Sequence, residues 1–383
     1  MDHVVTVTCP SCGAAVHDAD RFCEGCGAPL TAPAAVAASD PAPAAPVAPA
    51  TSGDPVSPGT APCRACGGVV AVDGYCEQCG ALAVSERDHW SERPAPHVGG
   101  VCDRGRRHAR NEDAMALHAD EAVTVLVVCD GVSSAPDSDL ASLAAARAAR
   151  DVLAAGAPSG TTAAPERPAA WSALLADAAA AADAAIRGAV GDRADRTEPP
   201  SCTFVAAVVD GPLVVTGWLG DSRTYWLPDG GTPRQLTADD SGANELIARG
   251  IPRAQAESSP TAHAITRWLG PDAADVVPQT TWTQTHGAGW VLVCSDGLWN
   301  YCSEAADLDA LVRDVETRVG PAPDAVAAEL VTWANAQGGH DNITVALARL
   351  AGDNLQAEPT GSAPGADGGS PPTPSPDLDP TDR

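Results

Sequence analysis

The chain has 383 residues, 44% of them hydrophobic, with 34 prolines, 36 glycines and a formal net charge of −27. That length suffices for a large core plus smaller modules, while the acidity disfavours nucleic acid and anionic membranes as partners. Every one of the 23 basic residues is Arg, so no GxxxxGK[ST] phosphate loop can exist, and the lack of an 18-residue apolar run or a charged apolar leader gives the expectation of a cytoplasmic protein.

From the N-terminus, eight of the thirteen cysteines fall in CxxC pairs. Cys9, Cys12, Cys23 and Cys26 form one quartet, and Cys63, Cys66, Cys76 and Cys79 form a second. Each quartet can close on one tetrahedral Zn²⁺, giving two structural zinc ions in modules spanning 1–30 and 62–83. A redox role fits less well, because thioredoxin-type CxxC motifs come singly beside a βαβ unit. Modules this small have no core of their own, so metal binding would drive their folding with about 10–16 kcal/mol each. They resemble the zinc ribbons found in pairs as bacterial adaptor modules, and the acidity favours a protein partner for them. Residues 31–61 are rich in Ala and Pro and read as a disordered linker, 84–96 as a second linker, and 351–383 as a disordered acidic tail rich in Pro and Gly.

Residues 97–350 then form one domain of ordinary size. Apolar, β-branched runs predict strands at Val123–Cys129, Phe204–Val209, Leu213–Trp218, Arg223–Leu227, Trp290–Cys294 and Ile343–Ala348. Asp210-Gly211 reads as a hairpin turn, and Asp229-Gly230 as another turn. Helical periodicity predicts a stripe of Leu140, Leu143, Ala144, Ala148 and Val152, a second of Trp171, Leu174, Leu175, Ala178, Ala182, Ala185 and Ile186, and a pair of helices near 304–318 and 323–336. Antiparallel strands with paired helices make an α+β class in which helices cover a β-sandwich.

Two of the predicted strands end in the same way, on Asp130-Gly131 and, one residue after Cys294-Ser295, on Asp296-Gly297. Further carboxylates sit at loop positions: Glu112-Asp113, Asp221 and Asp341. Hard oxygens without a His cluster suit Mg²⁺ or Mn²⁺ better than zinc. No Cys-x₅-Arg and no GxSxG offers a covalent nucleophile.

In order, DRGRRHARNEDA, VCDG, SCTFVAAVV, GWLGDSRTYWL, QLTADDS, ITRWLG, VLVCSDGLW and GGHDNITV resemble the metal-dependent Ser/Thr protein phosphatases of the PPM (phosphatase 2C-like) family. The resemblance implies a four-layer αββα sandwich, two antiparallel sheets flanked by helix pairs, behind the two small zinc ribbons. It implies that Asp130 bridges two Mg or Mn ions with the Gly131 carbonyl on one of them, that Asp296 and Asp341 complete the second, and that Glu112 and Asp113 hold metal-bound water. Asp221 is similar to the aspartate that takes a third metal in some members, and residues 243–263 correspond to a variable flap. The implied activity is hydrolysis of phosphoserine and phosphothreonine in proteins by a water or hydroxide shared between the metals. The implied partners are phosphoproteins of a bacterial Ser/Thr kinase pathway, with the ribbons as a docking or regulatory module.

The sequence departs from the family where an arginine usually grips the substrate phosphate; that place holds His108. Arg106, Arg107 and Arg110 are neighbouring candidates, although an arginine clamp is bidentate and directional. His108 would then contact the phosphate or donate a proton to the leaving oxygen. The same departure motivates a second reading, a pseudophosphatase that binds phosphoproteins as an adaptor and turns them over weakly.

Overall fold

The computed structural model describes residues 6–8, 15–17, 62–63, 66–71, 75–80, 83, 85–132, 135, 137–156, 166–259 and 264–352. The first cysteine quartet, the 31–61 segment and residues 353–383 lie outside them. At the N-terminus β1 (Thr6–Thr8) pairs antiparallel with β2 (Ala15–His17).

The large domain opens with β3 (His89–Ala95), β4 (Val98–Asp103), β5 (Ala114–Ala119) and β6 (Thr124–Cys129). Helices α1 (Ser138–Ala155) and α2 (Arg167–Val190) follow, then β7 (Phe204–Asp210), β8 (Leu213–Leu219), β9 (Arg223–Pro228) and β10 (Arg234–Gln235). Short helices α3 (Gly242–Ala248) and α4 (Arg253–Glu257) precede β11 (Gln279–Gln284) and β12 (Gly289–Cys294). The single-turn helix α5 (Asp296–Trp299), the pair α6 (Ala305–Val319) and α7 (Pro323–Gln337), and β13 (Ile343–Leu350) complete it. The strands make two antiparallel sheets, ordered β10-β9-β12-β13-β4-β3 and β11-β8-β7-β6-β5.

Strands β6, β8, β9 and β12 are buried along their whole length, because each sheet packs against the other on one face and a helix pair on the other. Leu126, Val128, Val205, Val291 and Val293 fill the space between the sheets. Trp171, Leu175 and Ile186 of α2 cover the five-stranded sheet, and Leu308, Val312, Leu330 and Val331 of α6 and α7 cover the six-stranded one. The four-layer αββα sandwich is therefore the architecture.

Two expectations are corrected. On α1 the buried stripe is Ala141, Ala145, Ala149 and Leu153, whereas Leu140, Leu143, Ala144, Ala148 and Val152 lie half-buried on its flank. Alanines at the centre let α1 approach its neighbours closely, and the larger side chains fill the angle beside them. The second correction concerns residues 84–96, expected to be a linker. Ser85 caps a 3₁₀ turn (Glu86–Asp88), and β3 then forms the edge of the six-stranded sheet against β4. Proline and charge misled the sequence reading, since both are tolerated on an edge strand. The segment also reaches inward: Arg87 donates to the Asp113 carbonyl at 2.8 Å, and the Glu92 carboxylate accepts from the Leu117 amide at 2.8 Å.

Helix α2 with the turn after it, Arg167–Asp195, is long and apolar enough by composition to cross a membrane. Its apolar residues instead cover the five-stranded sheet.

A chain beginning at residue 97 should thus be less stable than one beginning at 85. The lost strand and its side-chain contacts predict a deficit of roughly 2–5 kcal/mol in urea unfolding, counting about one per net hydrogen bond. Equal midpoints and slopes for the two chains would show that the segment is a linker after all.

Candidate metal centre

Two buried strands of β-branched residues deliver the central carboxylates, β6 leading into Asp130 and β12 into Ser295-Asp296. These strands lie in different sheets, so their mouths meet at one end of the sandwich. Asp341 arrives from the loop before β13, and Asp221 from the turn between β8 and β9. Asp130, Gly131, Asp221, Asp296 and Asp341 line one cleft of about 180 Å³, together with Val132, Thr203 and Ile265.

Close backbone approaches fix these loops. A Cβ on Gly131 would sit 2.6 Å from the Glu112 carbonyl oxygen, and one on Gly105, at φ +72, would sit 2.0 Å from that of Asp341. Asn342 ties the same loops together. Its side-chain oxygen accepts from the Glu112 amide at 2.8 Å, and its amide group donates to the carbonyls of Arg104 and Arg110 at 2.8 and 3.0 Å. Behind Asp130, the Thr203 hydroxyl accepts from the Asp130 amide and hydrogen-bonds Ser222. Asp113 is fully buried, and its Oδ2 accepts from the hydroxyls of Ser295 and Thr344, each at 2.7 Å.

The electrostatics of the cluster call for a cation. Burial pushes Asp130 well above the usual carboxylate range, and the charges of Asp113, Asp296, Asp341 and Asp221 push it further. Asp296 is raised likewise, by burial and then by Asp341 and Asp221. Burial lifts Asp221 to about 7, with Asp239 adding to it, and lifts Asp113 to about 6. Among the described residues, Asp113 Oδ1 and Asp296 Oδ1 are buried without any hydrogen-bond partner. Buried, unpaired carboxylate oxygens are costly unless a metal or proton satisfies them. A cleft lined by Asp130, Asp221, Asp296 and Asp341 offers oxygen donors, the donor type that suits Mg²⁺ or Mn²⁺.

His108 stands beside this cluster. Its Nε2 lies 3.2 Å from Asp341 Oδ1 and its Nδ1 lies 3.7 Å from Glu112 Oε2. Its pKa is raised, first by its interaction with Glu112 and then by the charge of Asp341, with burial opposing both. The neighbouring arginines are placed differently. Arg107 is exposed and makes no ion pair among the described residues, while Arg110 points to Asp137 at 4.0 Å. Arg223 is fully buried and bound to Asp239 of the 238–241 loop, Glu257 of α4 and the face of Trp299, so GDSR orders a structural ion pair as well as presenting Asp221.

In the second cysteine quartet, Cys63 Sγ lies 3.7 Å from Cys79 Sγ, Cys66 Sγ lies 3.4 Å from Cys76 Sγ, and all four sulfurs fall within 4.8 Å of one another. Tetrahedral zinc with Zn–S bonds of about 2.3 Å sets sulfurs roughly 3.8 Å apart, so the quartet fits that ion. The Cys79 amide, followed by that of Gln78, draws the Cys76 thiol down to about 6, while the neighbouring thiols of Cys79 and Cys76 hold Cys66 up at about 12.

Residues 104–335, more than half of the chain, match the family model Protein phosphatase 2C. The chain belongs to the protein phosphatase 2C family. Residues 9–87 match a second model, Double zinc ribbon. The 2C-type domain is 35% identical over 146 residues to the serine/threonine phosphatase stp of Listeria innocua, covering 38% of this chain and 55% of that protein. It is 34% identical over 147 residues to the protein phosphatase PhpP of Streptococcus pneumoniae, covering 38% and 56%. The chain thus spans about half the length of the curated relatives it matches. Its fold is like that of the S. agalactiae serine/threonine phosphatase, with a TM-score of 0.53 at 24% identity over 67% of this chain and 98% of that one.

Within the 2C-type domain, the sequence reading found the carboxylates but passed over their supports. Thr203, Ser295 and Thr344 hold Asp130 and Asp113 in place. The only signal for them is a hydroxyl residue at the mouth of an otherwise apolar strand.

Raised carboxylate pKa values carry a definite sign. Without metal the folded state holds protons that the unfolded chain releases near 3.8, so ionising the cluster lowers stability as pH rises toward about 7. A bound divalent cation offsets this. The rise in Tm on adding Mn²⁺ to chelator-treated protein should therefore grow from pH 4 to pH 7, by differential scanning fluorimetry. A rise of constant size across that range would mean that Mn²⁺ binds elsewhere.

Proposed function

We propose that the 2C-type domain is a protein-serine/threonine phosphatase that hydrolyses phosphoserine and phosphothreonine esters, using two Mg or Mn ions held by its carboxylate cluster. The observation that carries this reading is the convergence of Asp130, Asp296 and Asp341 on one cleft, with a buried carboxylate oxygen left unpartnered on Asp296. Asp130 would bridge the ions with the Gly131 carbonyl beside it, Asp296 and Asp341 would complete the set, and Glu112 and Asp113 would orient water from behind. Asp221, lining the same cleft, is the candidate for a third ion. Such ions supply Lewis acidity and bring water to a nucleophilic state near neutral pH. The chain's own part is to hold carboxylates rigidly, exclude bulk water from the strand mouths and manage the leaving group's proton.

His108 takes that last task. Flanked by Glu112 and Asp341, it favours the imidazolium form, which can attract phosphate oxygens and pass a proton from Nε2 to the departing serine or threonine oxygen. Arg107 and Arg110, with free or loosely paired guanidinium groups on the same loop, would meet the phosphate as it enters. The zinc ribbons, with Zn²⁺ at Cys63, Cys66, Cys76 and Cys79 and a second ion at Cys9, Cys12, Cys23 and Cys26, would dock a protein partner or regulate the site. A cytoplasmic setting goes with this reading. Phosphoproteins of a Ser/Thr kinase pathway are the substrates this reading implies.

The test is turnover of a phosphothreonine peptide and of p-nitrophenyl phosphate with Mn²⁺. Asp130→Ala should abolish both activities. His108→Ala should slow the peptide by about 10²–10⁴-fold and the aryl ester far less, since nitrophenolate leaves without protonation. Equal losses on the two substrates would remove the proton-donor role. No turnover by the wild-type protein would leave the weak adaptor as the better account.

A further inference from the structure

Beside the metal cleft lies a second cavity of about 340 Å³, walled by Val132, Pro199, Ile265 and Trp268. Val132 and Ile265 line both cavities, so the two are immediate neighbours. The walls are built on a ladder running out from the metal centre. Gly131 bridges Cys202, Cys202 bridges Leu269 in both directions at 3.0 and 2.9 Å, and the Val132 amide donates to the Ser201 carbonyl at 3.0 Å. On the far side, Asp183 of α2 accepts from the Gly270 amide, and Arg187 donates to the Gly270 and Pro271 carbonyls. The Trp268 indole is aimed by its hydrogen bond to Asp272 at 2.9 Å. These bonds fix the 131–132, 201–202 and 268–270 walls of the cavity.

Its rim is acidic. Glu198 and Asp272 both line it and both are exposed, and Glu198 makes no ion pair among the described residues. An apolar, half-buried pocket with an acidic lip, adjoining the carboxylate cleft, fits a polypeptide better than a small polar ligand. We propose that this pocket is the specificity subsite for the substrate chain: it takes a bulky apolar side chain near the phosphorylated residue, and Glu198 with Asp272 favours a basic residue next to it. The inference rests on the phosphatase reading and names its substrate class.

The experiment uses the full-length protein with Mn²⁺ and phosphothreonine peptides in a glycine-rich background. Leu or Gly stands in turn at each of the three positions on either side of the phosphothreonine, with Arg or Glu beside it. At one position Leu should raise kcat/KM by about tenfold or more over Gly, mainly through KM. That Leu-to-Gly ratio, read within each protein so that changes at the metals cancel, should collapse to about twofold in Trp268→Ala and in Ile265→Ser. The Arg-to-Glu ratio should fall in Glu198→Gln. Absence of a Leu preference at every position, or its survival in both pocket variants, overturns the inference. A change of oligomeric state in Trp268→Ala with the peptide ratio intact also overturns it, since the face would then bind a second copy. The same peptides carrying a non-hydrolysable phosphonate separate the two readings: Leu-dependent binding without any turnover would reject the phosphatase reading and keep the subsite. Turnover of N-acetyl-phosphothreonine-N-methylamide without any peptide preference would do the reverse.

Discussion

Mutual repulsion among buried carboxylates is the constraint on which the rest of this domain depends. Asp113, Asp130, Asp221 and Asp341 from four loops and Asp296 from the start of α5 are drawn to one end of the sandwich, and four of the five are lifted above, or well above, their ordinary titration range. Left to itself such a cluster would protonate or spread apart. It stays together because the strands behind it are fully buried and because Asn342, Thr203, Ser295 and Thr344 spend their hydrogen bonds on the loops that carry it. Local strain of this kind is sustained by a well-packed scaffold and released by a ligand of opposite charge.

The scaffold explains why distant segments matter at the site. Arg87, near the start of the domain, holds the carbonyl of Asp113, and Asn111 returns a hydrogen bond to the Arg87 carbonyl. Arg223 stacks at 3.6 Å on Trp299, whose indole donates to the Asp221 carbonyl, and the same guanidinium reaches Glu257 on α4. Buried, hydrogen-bonded charge of this sort adds geometry more reliably than stability. One ion-pair network thus joins the 242–257 helices to the loop bearing Asp221.

Much of this was readable from residues alone, for identifiable reasons. Strands β6, β7, β8, β9, β12 and β13 announced themselves because burial on both faces demands unbroken apolar runs, and the aspartates stood out as the charges that end them. Strands β4 and β5 escaped notice: VGGVCD has two glycines and AMALHA reads equally well as helix. Edge strand β3 was hidden by its proline and charges, and β11, with Trp282 half exposed, by its run of threonine and glutamine. The pocket beside Trp268 could not be read at all, since the 131, 202 and 269 segments that build it are separated by long stretches of sequence. Motifs revealed the carboxylates, whereas the partners that hold them are ordinary Thr, Ser and Asn.

The central claim is that Asp130 would hold both of the proposed divalent ions. The direct measurement is Mn²⁺ stoichiometry, from the free-ion electron paramagnetic resonance signal during titration of metal-free wild-type protein and of Asp130→Ala shown to be folded by circular dichroism. The account predicts at least two Mn²⁺ bound per wild-type chain and loss of both in the variant at the same concentrations. Full stoichiometry in Asp130→Ala would contradict it.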